Sequence, residues 1–184
     1  MRSLEPGMSN RFPYAERARS LDEAHRAVRQ TFEKVTKRSD LKHPATAKWI
    51  AAIAEFNAAQ KDAYPPDFWS DLQELRSGNA GQIETAITFL EADTMCFGSG
   101  YVKDCVLRAI KRLPLNSSQA KRLRAVVLHV ASRRDGQEFR QYCRLARRLD
   151  SEEFRKALRA LQSLGNADIT RRAAWVLAAL DQAS

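Results

Sequence analysis

Three stretches decide the fold: YVKDCVLRAIKRL at residues 101–113, EFRQYCRLARRL at 138–149 and ITRRAAWVLAAL at 169–180. Each has an apolar or aromatic residue, then a basic residue next to it or two along, then small and apolar positions. Lys103, Arg140 and Arg171 fall in register, 37 and 31 residues apart. Within the first stretch Val102, Cys105, Val106, Ala109 and Leu113 recur at helical spacing. A helix returning at such intervals is what stacked helical hairpins produce.

The spacing extends in both directions. Towards the N-terminus, Ser20-Leu21-Asp22-Glu23 reads as a capping box opening a helix to about Lys37, with Ala24, Val28, Phe32 and Val35 on one face. A second helix, to about Asp62, buries Trp49, Ile50, Ile53 and Phe56. Pro65 and Pro66 break the chain, because proline is tolerated only in a first helical turn. Phe68, Trp69, Leu72 and Leu75 mark a short helix ending near Gly78, and Asn79 with Gln82 caps the next. Further on, Asn116 with Gln119 starts a helix to about Arg133, and Asp135-Gly136-Gln137-Glu138 starts another over 137–149. Asp150 with Glu153 opens 151–164, Gly165 fits the position after a helix end, and Asn166 or Asp168 opens the last helix. No segment alternates as a strand does.

The predicted fold is therefore all-α: antiparallel hairpins stacked as a short solenoid, with an irregular all-helical bundle as the alternative. Residues 1–18 are expected to form a flexible tail, since Pro6, Gly7, Asn10 and Pro13 oppose a helix. Met8 is an alternative start. Residues 19–184 form one domain, made of an N-terminal helical pair over 19–64 and a repeat part over 65–184. At this level the last eighty residues resemble HEAT-like or armadillo-like α-repeats. The segment closest to the pattern is Asp168-Ile169-Thr170-Arg171-Arg172-Ala173-Ala174, which matches the Asp…Arg-x-x-Ala of those repeats. The resemblance implies a non-catalytic groove builder. Some HEAT-like proteins, the alkylpurine DNA glycosylases, carry base-excision chemistry, but their acidic and aromatic site residues do not map onto this sequence.

Charge is unevenly spread. The 184-residue chain carries a net charge of +9. From Tyr101 onward there are 18 Lys and Arg against 8 Asp and Glu, whereas residues 1–100 hold 13 against 14. Such asymmetry suits an anionic partner. Arg140, Arg144, Arg147 and Arg148 lie at i, i+4, i+7 and i+8, on one stripe opposite Phe139, Tyr142 and Cys143. Lys103, Arg108, Lys111, Arg112 and Arg171 extend this basic face, and Asp62, Asp67, Asp71 and Glu74 are candidate internal counterions. The expected partner is an acidic protein segment, with the phosphate backbone of nucleic acid as the alternative. A homodimer through the apolar C-terminal helix around Trp175 is a further option, with inward packing of that helix against the N-terminal half preferred.

Chemistry finds little foothold. His25, His43 and His129 stand alone, and Cys96, Cys105 and Cys143 form no metal-ligand spacing, so no metal, cofactor or catalytic constellation is expected. The cysteines are expected to be reduced and mostly buried in a cytoplasmic protein. The segment 89–101, FLEADTMCFGSGY, is read as a helix connection with Ser99 as N-cap. No stretch reaches the ~18 apolar residues of a membrane span.

Overall fold

The computed structural model of the protein describes residues 12–182; residues 1–11, which hold most of the expected tail, lie outside the described residues. Nine α-helices and a short 3-10 turn make up the described chain, with no strand among them. Two compact units result, Met1–Pro66 and Asp67–Ser184, and the boundary falls on the double proline.

The first unit is a hairpin of α1 (Tyr14–Phe32) and α2 (Pro44–Asp62). The helices run antiparallel. Arg17 near the start of α1 pairs with Asp62 at the end of α2, at 3.7 Å, while Phe32 and Trp49 meet at a tilt at the other end with ring centroids 5.3 Å apart. Helix α1 begins six residues before the expected capping box, so Tyr14–Ala18 is helical and not tail. The carbonyl of Pro13 takes the N–H groups of Glu16 and Arg17, and Tyr14, Ala18 and Leu21 continue the apolar stripe at i, i+4 and i+7. Ser20 and Glu23 are ordinary exposed helix positions. In α2 the buried residues are Thr46 and Ala52; Ile50 is exposed, and Trp49, Ile53 and Phe56 are only half-buried. Two helices offer one seam, too narrow to cover four large apolar residues.

The second unit holds α3 (Phe68–Ser77), the 3-10 turn Ala80–Gln82, α4 (Ile83–Ala92), α5 (Ser99–Ile110), α6 (Ser117–Arg133), α7 (Phe139–Ala146), α8 (Glu152–Gln162) and α9 (Ala167–Asp181). Helix α5 touches α3 and α7, and α7 touches α9; α6 touches α4 and α8. Odd- and even-numbered helices thus form two rows of an all-α bundle, with the core between them. Ile87, Leu90, Leu107, Ile110, Leu123, Val127, Tyr142, Leu145, Leu158 and Val176 are essentially sealed from solvent.

Local signals set the ends. Asn116 and Gln119 form the expected capping box, Asn166 accepts the N–H groups of Asp168 and Ile169, and Gly165 has a φ of 72°. Two caps differ from expectation. Ser151, not Asp150, caps α8, because its hydroxyl reaches the Phe154 N–H at 3.2 Å. Gly98, with φ at 79°, occupies the N-cap position of α5, and Ser99 turns back to accept the Cys96 N–H. Among the described residues no helix is long and apolar enough to cross a membrane.

Candidate functional site

The basic residues of the second unit divide into those used inside the fold and those left on its surface. A first group is drawn to helix carboxyl ends, where unpaired carbonyls and the helix dipole favour cations. Arg148 donates to the carbonyls of Lys111 and Leu113, just beyond α5. The Nε of Arg147 donates to Ala179 in the last turn of α9, at 3.1 Å. Arg124 donates to Leu149 after α7, at 2.6 Å, and the buried Arg172 donates to Ala131 in the last turn of α6, at 2.8 Å. These arginines tie each helix end to a neighbouring helix.

A second group is neutralised by carboxylates. Arg122 spans Glu84 and Glu91, and Arg155 spans Asp150 and Asp181. Asp135 and Asp168 both lie within 3.3 Å of Arg171. The counterions expected from Asp62, Asp67, Asp71 and Glu74 are not the ones used: Asp62 pairs with Arg17 in the first unit, and Glu74 accepts from the Asn79 side chain.

Lys103 corrects the sequence reading most sharply. It is fully buried, with its Nζ 2.8 Å from the Oδ1 of Asp93, and so lies outside any binding face. Asp93 also binds Arg134, which in turn binds Glu138. Glu138, expected as part of a capping box for α7, is 2% exposed and serves this network instead. Two glycines make room for it. A Cβ on Gly136 would sit 2.3 Å from a Glu138 carboxylate oxygen, and one on Gly100 would sit 3.1 Å away. Burial works to raise the Asp93 pKa, but the hydrogen bonds and charges of Arg134 and Lys103 outweigh it and hold the carboxyl below its ordinary value. The four charges join the segment after α4 to α5, α6 and α7. The register that aligned Lys103 with Arg140 and Arg171 therefore matches positions of different environment.

The histidines have local roles. His43 caps α2 by accepting the Ala45 N–H at 3.2 Å, His25 lies against Phe56, and His129 sits 3.6 Å from Asp93. Burial pushes the Cys143 thiol up to about 11. Cys105 is exposed, and Cys96 and Cys143 are half-buried, contrary to the expectation of buried thiols.

What remains on the surface is a cationic cluster in α7, at the end of α5 and just beyond it. Arg112 and Arg140 are exposed, Arg144 is half-buried, and none of the three has an acidic partner among the described residues. Arg108 is exposed and, among the described residues, pairs with Asp104, one turn away at 2.7 Å. The Lys111 pKa is lowered, first by burial and then by the positive charges of Arg144, Arg108 and Arg112, against which Asp104 is the minor opposing charge. The Lys111 ammonium itself donates to the Oε1 of Gln141 at 3.2 Å.

Aromatic rings flank this cluster, which the sequence reading did not anticipate. Trp69 and Tyr101 are 50% and 67% exposed, and both line an open groove of about 1080 Å³ between α3 and α5. Arg76, Arg108 and Arg112 line the same groove. On the α7–α9 side a smaller recess of about 420 Å³ holds Arg140, Phe139 and Trp175. Trp175 is 46% exposed, its ring faced by Arg171 at 5.4 Å, while α9 packs on α6, α7 and α8, with Ala173, Val176 and Leu180 buried, and not on α3 or α4. No family model matches this chain, and comparison with curated proteins and with solved structures finds no match.

Proposed function

We propose that this protein is a non-enzymatic helical-repeat binding module whose second unit docks an acidic segment of a partner protein. The observation that carries this reading is the cluster of Arg108, Lys111, Arg112, Arg140 and Arg144, five cations among which Asp104, paired with Arg108, is the one carboxylate found among the described residues, in a unit that neutralises or caps with most of its other cations. Cations of one sign held together repel one another, and an incoming carboxylate relieves that repulsion. Arginine suits the task, because its planar fork grips a carboxylate with two parallel bonds. The two rows of helices support a short HEAT-like solenoid, in which successive hairpins present one long surface.

Arg147 and Arg148 leave the proposed face, since their guanidiniums are engaged by helix ends, and Lys103 leaves it by burial. Arg171 stays at its edge, beside Trp175.

A second reading, binding to the nucleic-acid backbone, draws support from Trp69 and Tyr101. Exposed rings beside arginines suit base stacking on a single strand. Titrating labelled poly-glutamate, a labelled single strand and a labelled duplex at low and physiological salt separates the two. Saturable binding of poly-glutamate that survives physiological salt, with loss of both nucleic acids, supports the protein partner. Retention of a nucleic acid alone rejects it in favour of the second reading.

A further inference from the structure

We infer that the groove between α3 and α5 is the docking site of an acidic amphipathic helix, an inference that rests on the acidic-partner reading above and names the form the partner takes. The groove runs between two short helices of 10 and 12 residues, the length over which a partner helix of about three turns lies alongside. Its floor carries apolar side chains, the buried Leu72 of α3, the buried Ala109 and the half-buried Val102 of α5, with Gln73 and Ser77 of α3 beside them. Its rims carry more cations than anions, with Arg76 from α3, Arg108 from α5 and Arg112 just beyond α5, against Asp104 of α5, which pairs with Arg108. Apolar side chains between rims of net positive charge are the complement of a helix that carries an apolar stripe flanked by Asp and Glu.

The exposed rings give such a helix its anchors. Trp69 stands in the first turn of α3 and Tyr101 in the first turn of α5. Large rings exposed on a basic surface are poor solubility choices and strong interface residues, because they bury much area at little cost in side-chain entropy. Two platforms accommodate few bases, whereas the apolar side chains of the floor have no role in gripping a sugar–phosphate strand. Those side chains favour a protein helix over a nucleic acid.

The test uses two fluorescein-labelled peptides of the same composition, rich in Glu and Leu. In one the leucines recur at i, i+3, i+4 and i+7; in the other the order is scrambled so that no stripe forms. Fluorescence anisotropy against the full chain is read for the wild type, Trp69→Ala, Tyr101→Ala, Arg76→Glu and Arg140→Glu/Arg144→Glu, with helicity of each variant checked by circular dichroism. The inference predicts that the phased peptide binds at least about tenfold more tightly than the scrambled one, and that either ring variant removes most of that difference. Equal binding of both peptides, unchanged by Trp69→Ala and Tyr101→Ala but lost in Arg140→Glu/Arg144→Glu, overturns the groove and leaves the acidic-partner reading standing. Failure of both peptides, with a single-stranded oligonucleotide bound or not, overturns both.

Discussion

The Nζ of Lys103 lies 2.8 Å from the Oδ1 of Asp93, and the lysine has no exposure to solvent. A lysine that the helical register places beside surface arginines is thus committed to the interior. Asp93 meets it in the left-handed backbone region, with a φ of 41°, a conformation that Asp and Asn tolerate better than most residues. Asp93→Asn keeps that backbone and removes the charge. It leaves Lys103 buried beside Arg134 with only Glu138 to balance them, and breaking a buried pair in this way costs about 3–5 kcal/mol. Urea denaturation of the two proteins measures it.

The same pair makes stability depend on acid. The folded Asp93 carboxyl is held below its ordinary value, so the unfolded chain binds its proton first as pH falls. The stabilisation is complete above the unfolded carboxyl value and is lost as pH drops through the depressed folded one. Melting temperature followed downward from neutral pH should fall below about pH 4 in the wild type. In Asp93→Asn this component of the fall is absent.

Arg172 and Arg140 should separate cleanly in their effects on folding. Arg172 is buried and donates to Ala131 in α6, whereas Arg140 is exposed and unpaired among the described residues. Arg172→Met keeps the aliphatic stem but orphans a buried carbonyl, at a cost of about 1–3 kcal/mol. Arg140→Met should change stability by less than about 0.5 kcal/mol. Thermal melts of the two variants check the contrast.

Thiol chemistry should single out one cysteine. Cys105 is exposed on the wall of the α3–α5 groove, while burial lifts the Cys143 thiol to about 11 and keeps it protonated at neutral pH. Brief treatment with a maleimide should modify Cys105 before Cys143, as peptide mapping of the adduct shows. A bulky adduct at Cys105 should then block the phased acidic peptide.

The elements legible in the sequence were those specified within a few residues. The Asn116–Gln119 box, the Asn166 cap and the Gly165 turn depend on neighbours along the chain, and each formed where the pattern placed it. The use of each arginine was not legible, because it depends on which helix end lies opposite. Arg144 lies in α7 and Arg148 follows four residues on, just beyond its end, yet Arg148 bonds to the end of α5 and Arg144 is left beside Lys111. Glu138 illustrates the same point: its spacing from Asp135 imitates a cap, but Arg134 draws it inward. The exposed Trp69 and Tyr101 were hidden for a different reason. Apolar periodicity identifies a helix, but it does not show where the row of helices leaves a groove open.

The most direct measurement compares two variants of equal charge change for binding of a labelled acidic peptide. Arg140→Glu/Arg144→Glu reverses two residues of the cationic cluster. Lys156→Glu/Arg159→Glu reverses two exposed residues of α8, away from it. If the cluster docks the partner, the first variant should lose at least about tenfold in affinity, and the second should stay within about twofold of the wild type. Equal losses in both would show that net charge alone attracts the peptide, and would contradict the assignment of a binding face.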